Sequence, residues 1–311
     1  MLCYVVPPET RCLIISTDVQ GGVGARFEVQ VHAVGPFMEQ WLVDRFAIKH
    51  SMRPGMGGDF APIDPAGYAE DWDVLTEKLL RATWKTPNSN LEIRAKLIVV
   101  DTGGEGKGNG GEGVTHNAYA WFRRIRKLGY GKRVMLYKGG SDAAAPIIKE
   151  TMVGRRGNSA PGDIPLFLCH TNLLSDEVDS GLRRQGPGPN YIHFPAAHHP
   201  TLNPKGWLPA AFFDELGAEI RDANGTWRKV RKRNEAFDLC RMIRAGMLRL
   251  GLDKITDWQT VPAWLAPLDS NSEIVARADR QAMQENTVIP QQQVRVIGQQ
   301  RRQRRFAQAT F

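Results

Sequence analysis

The chain has 311 residues, 42% of them hydrophobic and 24% charged, with a formal net charge of +8. That length can bury a sizeable core in one large domain or two small ones, and no uninterrupted apolar run approaches the roughly 18 residues of a membrane span. The basic excess favours an anionic partner and is unevenly spread: 228–233 holds five basic residues in six, and 295–305 adds five arginines with no acid. Four cysteines, at positions 3, 12, 169 and 240, show no C-x-x-C spacing. They read as small buried hydrophobes of a reducing compartment, and the protein as soluble and intracellular.

Residues 1–10 carry Pro7-Pro8 and read as an extended connection from a preceding domain. Cys12 to Gln20 is an apolar run ending near a carboxylate, which predicts a central strand with Asp18 at its carboxyl end. Ligands and catalytic groups collect at that edge of open α/β sheets, because loops leave there. Arg26–Val34 and Glu39–Ile48 alternate and predict two further strands of an antiparallel meander, with His32 on the polar, exposed side. A Gly-, Met- and Pro-rich loop is expected from Ser51 to Pro65, then a helix from Tyr68 to Trp84. Leu97-Ile98-Val99-Val100-Asp101 repeats the strand-then-Asp pattern and opens a Gly-rich loop, 103–113. That loop is not a nucleotide-binding one: Lys107 is followed by Gly where Ser or Thr is needed for magnesium, so no ATP hydrolysis is expected from this chain.

Thr115 is expected to cap a helix to Leu128, with Tyr119, Phe122 and Ile125 inward. Arg133–Tyr137 and Pro165–Cys169 predict strands, with a polar loop over 139–161 between them. A helix over Asn172–Arg183 and a short strand at Tyr191–Pro195 follow. His193, His198 and His199 match no compact zinc spacing and read as polar lining. Asp222-Ala223-Asn224-Gly225 predicts a hairpin turn, and Asn234 is expected to cap a helix with Phe237, Ile243, Met247 and Leu250 inward. From about 262 to 311 the pattern loosens into a basic tail or small appendage, partly disordered and suited to partner binding. Three antiparallel strands, a helix and a further strand is the order of a ribonuclease H-like α/β fold, a mixed sheet flanked by helices, placed here over 11–261. In that fold the fourth strand runs parallel beside the first, which brings Asp18 and Asp101 together.

Helical spacing places Glu235 and Asp238 on neighbouring positions of one face. Three acids without Cys or His at ligand spacing are hard oxygen donors, suited to magnesium or manganese. Two such ions about 3.5–4 Å apart can activate water and stabilise a leaving oxygen in phosphodiester hydrolysis. In that arrangement Asp18 bridges both ions, Asp101 holds one and Asp238 the other, with Glu235 as a further ligand or an orienter of metal-bound water. Arg228, Lys229, Arg231, Lys232, Arg233 and Arg241 are expected to contact phosphates without reading bases.

At these residues the sequence resembles the nuclease domain of the lambda-like tailed-phage terminase large subunit. The carriers are 16–20 around Asp18, 99–104 around Asp101 with Thr115 and Tyr119, and Thr171–Leu174 with Asp176 and Glu177. Tyr191–Pro195 follows, and the most specific is Trp227 through Arg233-Asn234-Glu235-Ala236-Phe237-Asp238-Leu239-Cys240. The resemblance covers roughly 5–248. It implies a ribonuclease H-like fold, two divalent ions and cutting of concatemeric double-stranded DNA in the host cell cytoplasm. It also implies work beside a terminase ATPase domain, absent from this chain, a small terminase subunit and a portal protein. Two alternatives remain open: another ribonuclease H-like nuclease of the resolvase or transposase type, and a non-catalytic DNA- or portal-docking module.

Overall fold

A computed structural model describes residues 5–87, 90–103, 113–142, 144–154, 162–195 and 208–276. Strand β1 (Cys12–Gln20) is the axis of the molecule, with every residue from Cys12 to Thr17 buried. It is apolar on both faces because both are covered: Leu13 and Ile15 pack into one core, Cys12 and Ile14 into the other. β2 (Arg26–Val34) and β3 (Gln40–Ile48) extend it as the expected antiparallel meander. On its other side, β7 (Leu91–Asp101) runs parallel to β1.

Beyond β7 lie β8 (Val134–Gly140) and β10 (Ile164–His170), both parallel, and then β9 (Ile148–Val153), antiparallel on β10. At the far side β11 (Ile192–His193) pairs with β3. Two short strands, β6 (Thr83–Lys85) and β14 (Ile274–Ala276), also pair antiparallel with β7. Helix α2 (Val114–Lys127) covers one face, through Trp121, Phe122 and Ile125 against Leu13 and Ile98. Helix α5 (Glu235–Arg249) covers the other, through Leu239, Met242 and Ile243 against Ile14 and Val99, with α3 (Thr171–Leu182) beside it. Gly246 lets α5 approach closely, since a Cβ there would lie 2.9 Å from Val99 and 3.0 Å from Ile14. A mixed sheet between helices in this order is the expected ribonuclease H-like architecture.

Several local expectations are corrected. The segment 51–65 is not a plain loop: β4 (His50–Pro54) and β5 (Phe60–Pro62) form a hairpin. The helix expected to Trp84 stops at Leu80, after 3-10 turns, α1 (Asp73–Leu75) and a π-helical stretch, and Trp84 lies in β6. Part of 139–161 is strand β9, which carries no regular alternation because its residues are exposed or only half-buried, at Ile148, Thr151 and Val153. Thr115 is inside α2, and its hydroxyl donates to the Thr102 carbonyl at 2.7 Å. Asn234 precedes α5, but its side chain bonds Lys229 and Glu219 in place of the helix end. Residues 263–276 pack on the body, with β14 on β7 and Asn271 donating to the Arg11 carbonyl at 2.7 Å. The tail beyond 276, residues 104–112 of the Gly-rich loop, and His198 and His199 lie outside the described residues.

His32 is fully buried, contrary to expectation, because α5 covers the β2 face on which it lies. Its ring meets Gln30 and Gln40, each at 3.0 Å, and burial lowers its pKa from 6.5 to about 4. The unfolded chain therefore takes up this proton first, so the contribution is complete above about pH 6.5 and is lost as pH falls through about 4. At 1.36 kcal/mol per unit the loss is about 3 kcal/mol. Urea melts at pH 7 and pH 4 should show the native chain losing about that much more than His32→Gln; equal losses would refute the assignment.

Candidate active site at the carboxyl ends of β1 and β7

The parallel register pairs Thr17 with Val100, which carries Asp18 alongside Asp101 at the strand ends. Side chains alternate along a strand, so Asp18 shares a face with Ile14, and Asp101 with Val99. Both of those residues pack against α5, so both carboxylates face that helix. The Gln20 amide donates to Asp18, and the Gly103 N–H donates to Asp101 Oδ1 at 3.0 Å. The Thr102 N–H and hydroxyl both reach the Tyr137 carbonyl at 2.9 Å, which fixes the chain just after Asp101.

Neither acid has an ion-pair partner among the described residues, and the charge of Lys138 only weakly opposes the rise at Asp101. Burial raises the Asp101 pKa to about 7, with the charge of Asp18 adding to the shift and the Gly103 N–H opposing it. Burial also raises the pKa of Asp18, against the Gln20 hydrogen bond, and Glu235 and Glu28 push it further up. Both carboxylates thus sit in a place that favours the neutral acid or an added positive charge.

Glu28 was not anticipated from the sequence. It lies directly across the antiparallel pairing from Asp18, and it is buried. Arg26 holds it at 2.5 Å, and Arg233 stands 3.7 Å away. Glu235, the first residue of α5, is buried and meets the same two arginines at 3.5 and 3.3 Å. Arg233 also reaches Glu215 at 3.1 Å, and Glu215 pairs with Arg45 at 2.6 Å. Glu28 and Glu235 therefore flank Asp18 within one network of acids and arginines. The five-residue turn 21–25 sets the register that puts Glu28 opposite Asp18, and this was the available sequence signal.

Asp238 is one turn further along α5 and is paired with Arg241. Arg241 in turn meets Glu219 at 3.0 Å and the Ser175 hydroxyl at 3.1 Å, and lies over the Phe237 ring. It is largely buried, so it positions Asp238 and has little surface to offer a phosphate. Among the other basic residues expected at phosphates, Arg228 pairs with Asp222 and Arg231 with Asp214, each at 2.5 Å. Lys229 donates to Asn234 at 2.6 Å. All of these and Lys232 and Arg233 are exposed, on the hairpin of β12 (Glu219–Arg221) and β13 (Trp227–Lys229) and the residues leading into α5. Short helix α4 (Ala210–Leu216) packs beneath them, with Phe212 against Leu42 and Ala236.

Among the described residues no three acidic, histidine or cysteine side chains stand close enough to form a ready-made ion cage. Cys12, Cys169 and Cys240 are free and buried, as their apolar context suggested. No helix among the described residues is long and apolar enough to cross a membrane.

No curated protein and no solved structure matches the sequence. Residues 3–258 match the family described as "Terminase large subunit gpA, endonuclease domain". That span contains both strand-end acids, the β12–β13 hairpin and all of α5. The chain therefore belongs to the endonuclease-domain family of the terminase large subunit gpA, the nuclease of phage DNA packaging.

Proposed function

We propose that this chain cuts double-stranded DNA by divalent-metal-assisted hydrolysis of the phosphodiester backbone. The observation that carries this reading is the pair Asp18 and Asp101, adjacent at the ends of two parallel strands, on one face, with raised pKa values and no ion-pair partner among the described residues. Such a pair of hard oxygen donors fits magnesium or manganese. Asp18 and Asp101 would hold the ions with Asp238, and Glu235 would act as a further ligand or orient water. Two bound ions would supply a metal-activated water and charge stabilisation at the leaving oxygen.

The chain's own residues do the positioning. Gln20 and the Gly103 N–H fix which carboxylate oxygens remain free for a ligand. Arg241 orients Asp238, and Arg26 and Arg233 pair with Glu28 and Glu235 beside Asp18. Arg228, Lys229, Arg231, Lys232 and Arg233, exposed next to the site, would bind phosphates and set register without reading bases. As a gpA-type nuclease domain it would act on concatemeric DNA, together with a terminase ATPase domain, a small subunit and a portal protein.

Supercoiled plasmid tests the proposal directly. Nicking and linearisation should appear with manganese or magnesium and vanish with a chelator. Cutting that persists in chelator would overturn the metal-assisted reading, and intact plasmid with every ion would overturn the nuclease reading for this chain.

A further inference from the structure

The β4–β5 hairpin presents an apolar tip that nothing in the described protein covers. Met56 is 97% exposed, Phe60 64% and Met52 50%. Gly57 and Gly58 at the tip have φ of 76° and 91°, which let the chain turn tightly and push Met56 outward.

The base of the same hairpin is held rigidly. Asp71, fully buried, accepts from the Ser51 hydroxyl and from Arg53 Nε, each at 2.5 Å, and from the Asp64 N–H at 2.6 Å. The Arg53 guanidinium also stacks 3.6 Å over the Tyr68 ring. A fixed base beneath an exposed apolar tip suits insertion into a partner better than packing within this fold.

Two adjoining hollows lie between the hairpin and Glu28, the neighbour of Asp18. A cleft of about 600 Å³ runs from Glu28, across from Asp18, past Arg26 and Arg233 to Lys49, His50 and Pro62. His50 and Pro62 also line the next hollow, of about 840 Å³, which ends at Met56 and Phe60. The wall opposite is the β1–β2 turn, where Val23 is fully exposed. Lys49 is exposed and has no carboxylate partner among the described residues. Arg26 and Arg233 are paired with Glu28, Glu235 and Glu215, and Asp59 lines the outer hollow, so Lys49 is the cation this path leaves for a phosphate, between apolar residues at both tips. A phosphate-facing cation beside apolar wedges is how proteins hold a DNA backbone while entering between bases.

We propose that this cleft is a second contact for duplex DNA, in which Lys49 and His50 hold the backbone while Met56 and Phe60 enter the minor groove and unstack a base step beside the cut. The proposal rests on the reading of this chain as one that acts on duplex DNA. Unstacking would kink the duplex toward its major groove and open the minor-groove side beside the strand-end acids, at a cost of a few kcal/mol per step met by the added contacts.

The test uses the full chain and a short duplex carrying a fluorescent base analogue, with calcium in place of magnesium. Binding of the native chain should raise the analogue's fluorescence. Met56→Ser/Phe60→Ser should abolish that rise and weaken affinity about fivefold to tenfold, since both side chains are exposed and their loss spares the core. Lys49→Ala should keep the rise and lower the salt slope of binding by about one. The proposal is overturned if the native chain does not bind duplex, if it binds with no fluorescence rise, or if the double variant matches it in both readouts. It is equally overturned if the double variant differs from native only in self-association by sedimentation, which would make the tip a protein contact. A native chain that binds and unstacks duplex but cuts no plasmid with manganese would leave this proposal standing and remove the nuclease reading instead.

Discussion

Asp101→Asn and Asp18→Asn should each lower metal-dependent cleavage by about a thousandfold while leaving the chain folded. Losing one ion ligand removes several kcal/mol of charge stabilisation in the transition state, and each 1.36 kcal/mol is tenfold in rate. Asparagine keeps the shape and can still accept from Gly103 or Gln20, so the sheet edge is preserved. Cleavage within tenfold of native in either variant would mean that this acid is not a ligand.

The same substitution has a second readout that does not depend on activity. The folded pKa of Asp101 is about 7, above its ordinary 3.8, so the unfolded chain gives up this proton first as pH rises. Stability is therefore highest below about pH 4, falls as pH rises toward about 7, and carries the whole penalty above that. Asp101 keeps some solvent contact, which reduces the penalty to the order of 2 kcal/mol from the roughly 4 that the full shift would imply. In chelator at pH 8, Asp101→Asn should melt several degrees higher than native, and the two should converge near pH 4. Adding magnesium at pH 8 should raise the melting temperature of the native chain and leave the variant nearly unchanged. A variant that melts lower than native at pH 8 would show that the carboxylate is stabilising and that no cation is missing beside it.

The strand-end acids were legible because strands buried on both faces are written as continuous apolar runs. Cys12–Thr17 and Leu97–Val100 carry that pattern, and an Asp closing such a run stands out. The meander and the α5 periodicity were legible for similar reasons. What escaped was decided by partners distant in sequence. His32 reads as exposed on an alternating strand, and only the packing of α5 on that face buries it. Strand β9 has no apolar face of its own and owes its form to pairing with β10. Glu28 looks like any polar residue of a strand until the β1–β2 register sets it against Asp18. Arg241 counted as one more basic residue near the hairpin, whereas Glu219, Asp238 and Ser175 turn it inward. The sequence could rank Asp238 over Glu235 only by its motif; in the fold, Glu235 lies among the charges that act on Asp18, and Asp238 lies against Arg241.

Arg241→Met should cost about 3–5 kcal/mol of stability and also impair cutting, through two separable effects. Methionine can fill much of the volume over the Phe237 ring, so the loss is chiefly of charge. Glu219, whose side chain is 6% exposed, would keep only the Asn234 amide at 2.6 Å as a partner. An unpaired carboxylate left in that position accounts for the fall in stability. Pairing the change with Glu219→Gln removes that orphaned charge, so Glu219→Gln/Arg241→Met should recover most of the stability, a coupling well above the few tenths of a kcal/mol seen for independent sites. Cleavage should not recover with it, because Asp238 would still lack the guanidinium that fixes its rotamer on the first turns of α5. Raising magnesium or manganese should partly rescue the double variant, since an ion can reorder a loosened ligand by mass action. A double variant that is both stable and fully active at ordinary metal concentration would assign Arg241 to the fold alone and leave Asp238 to be placed by the ion itself.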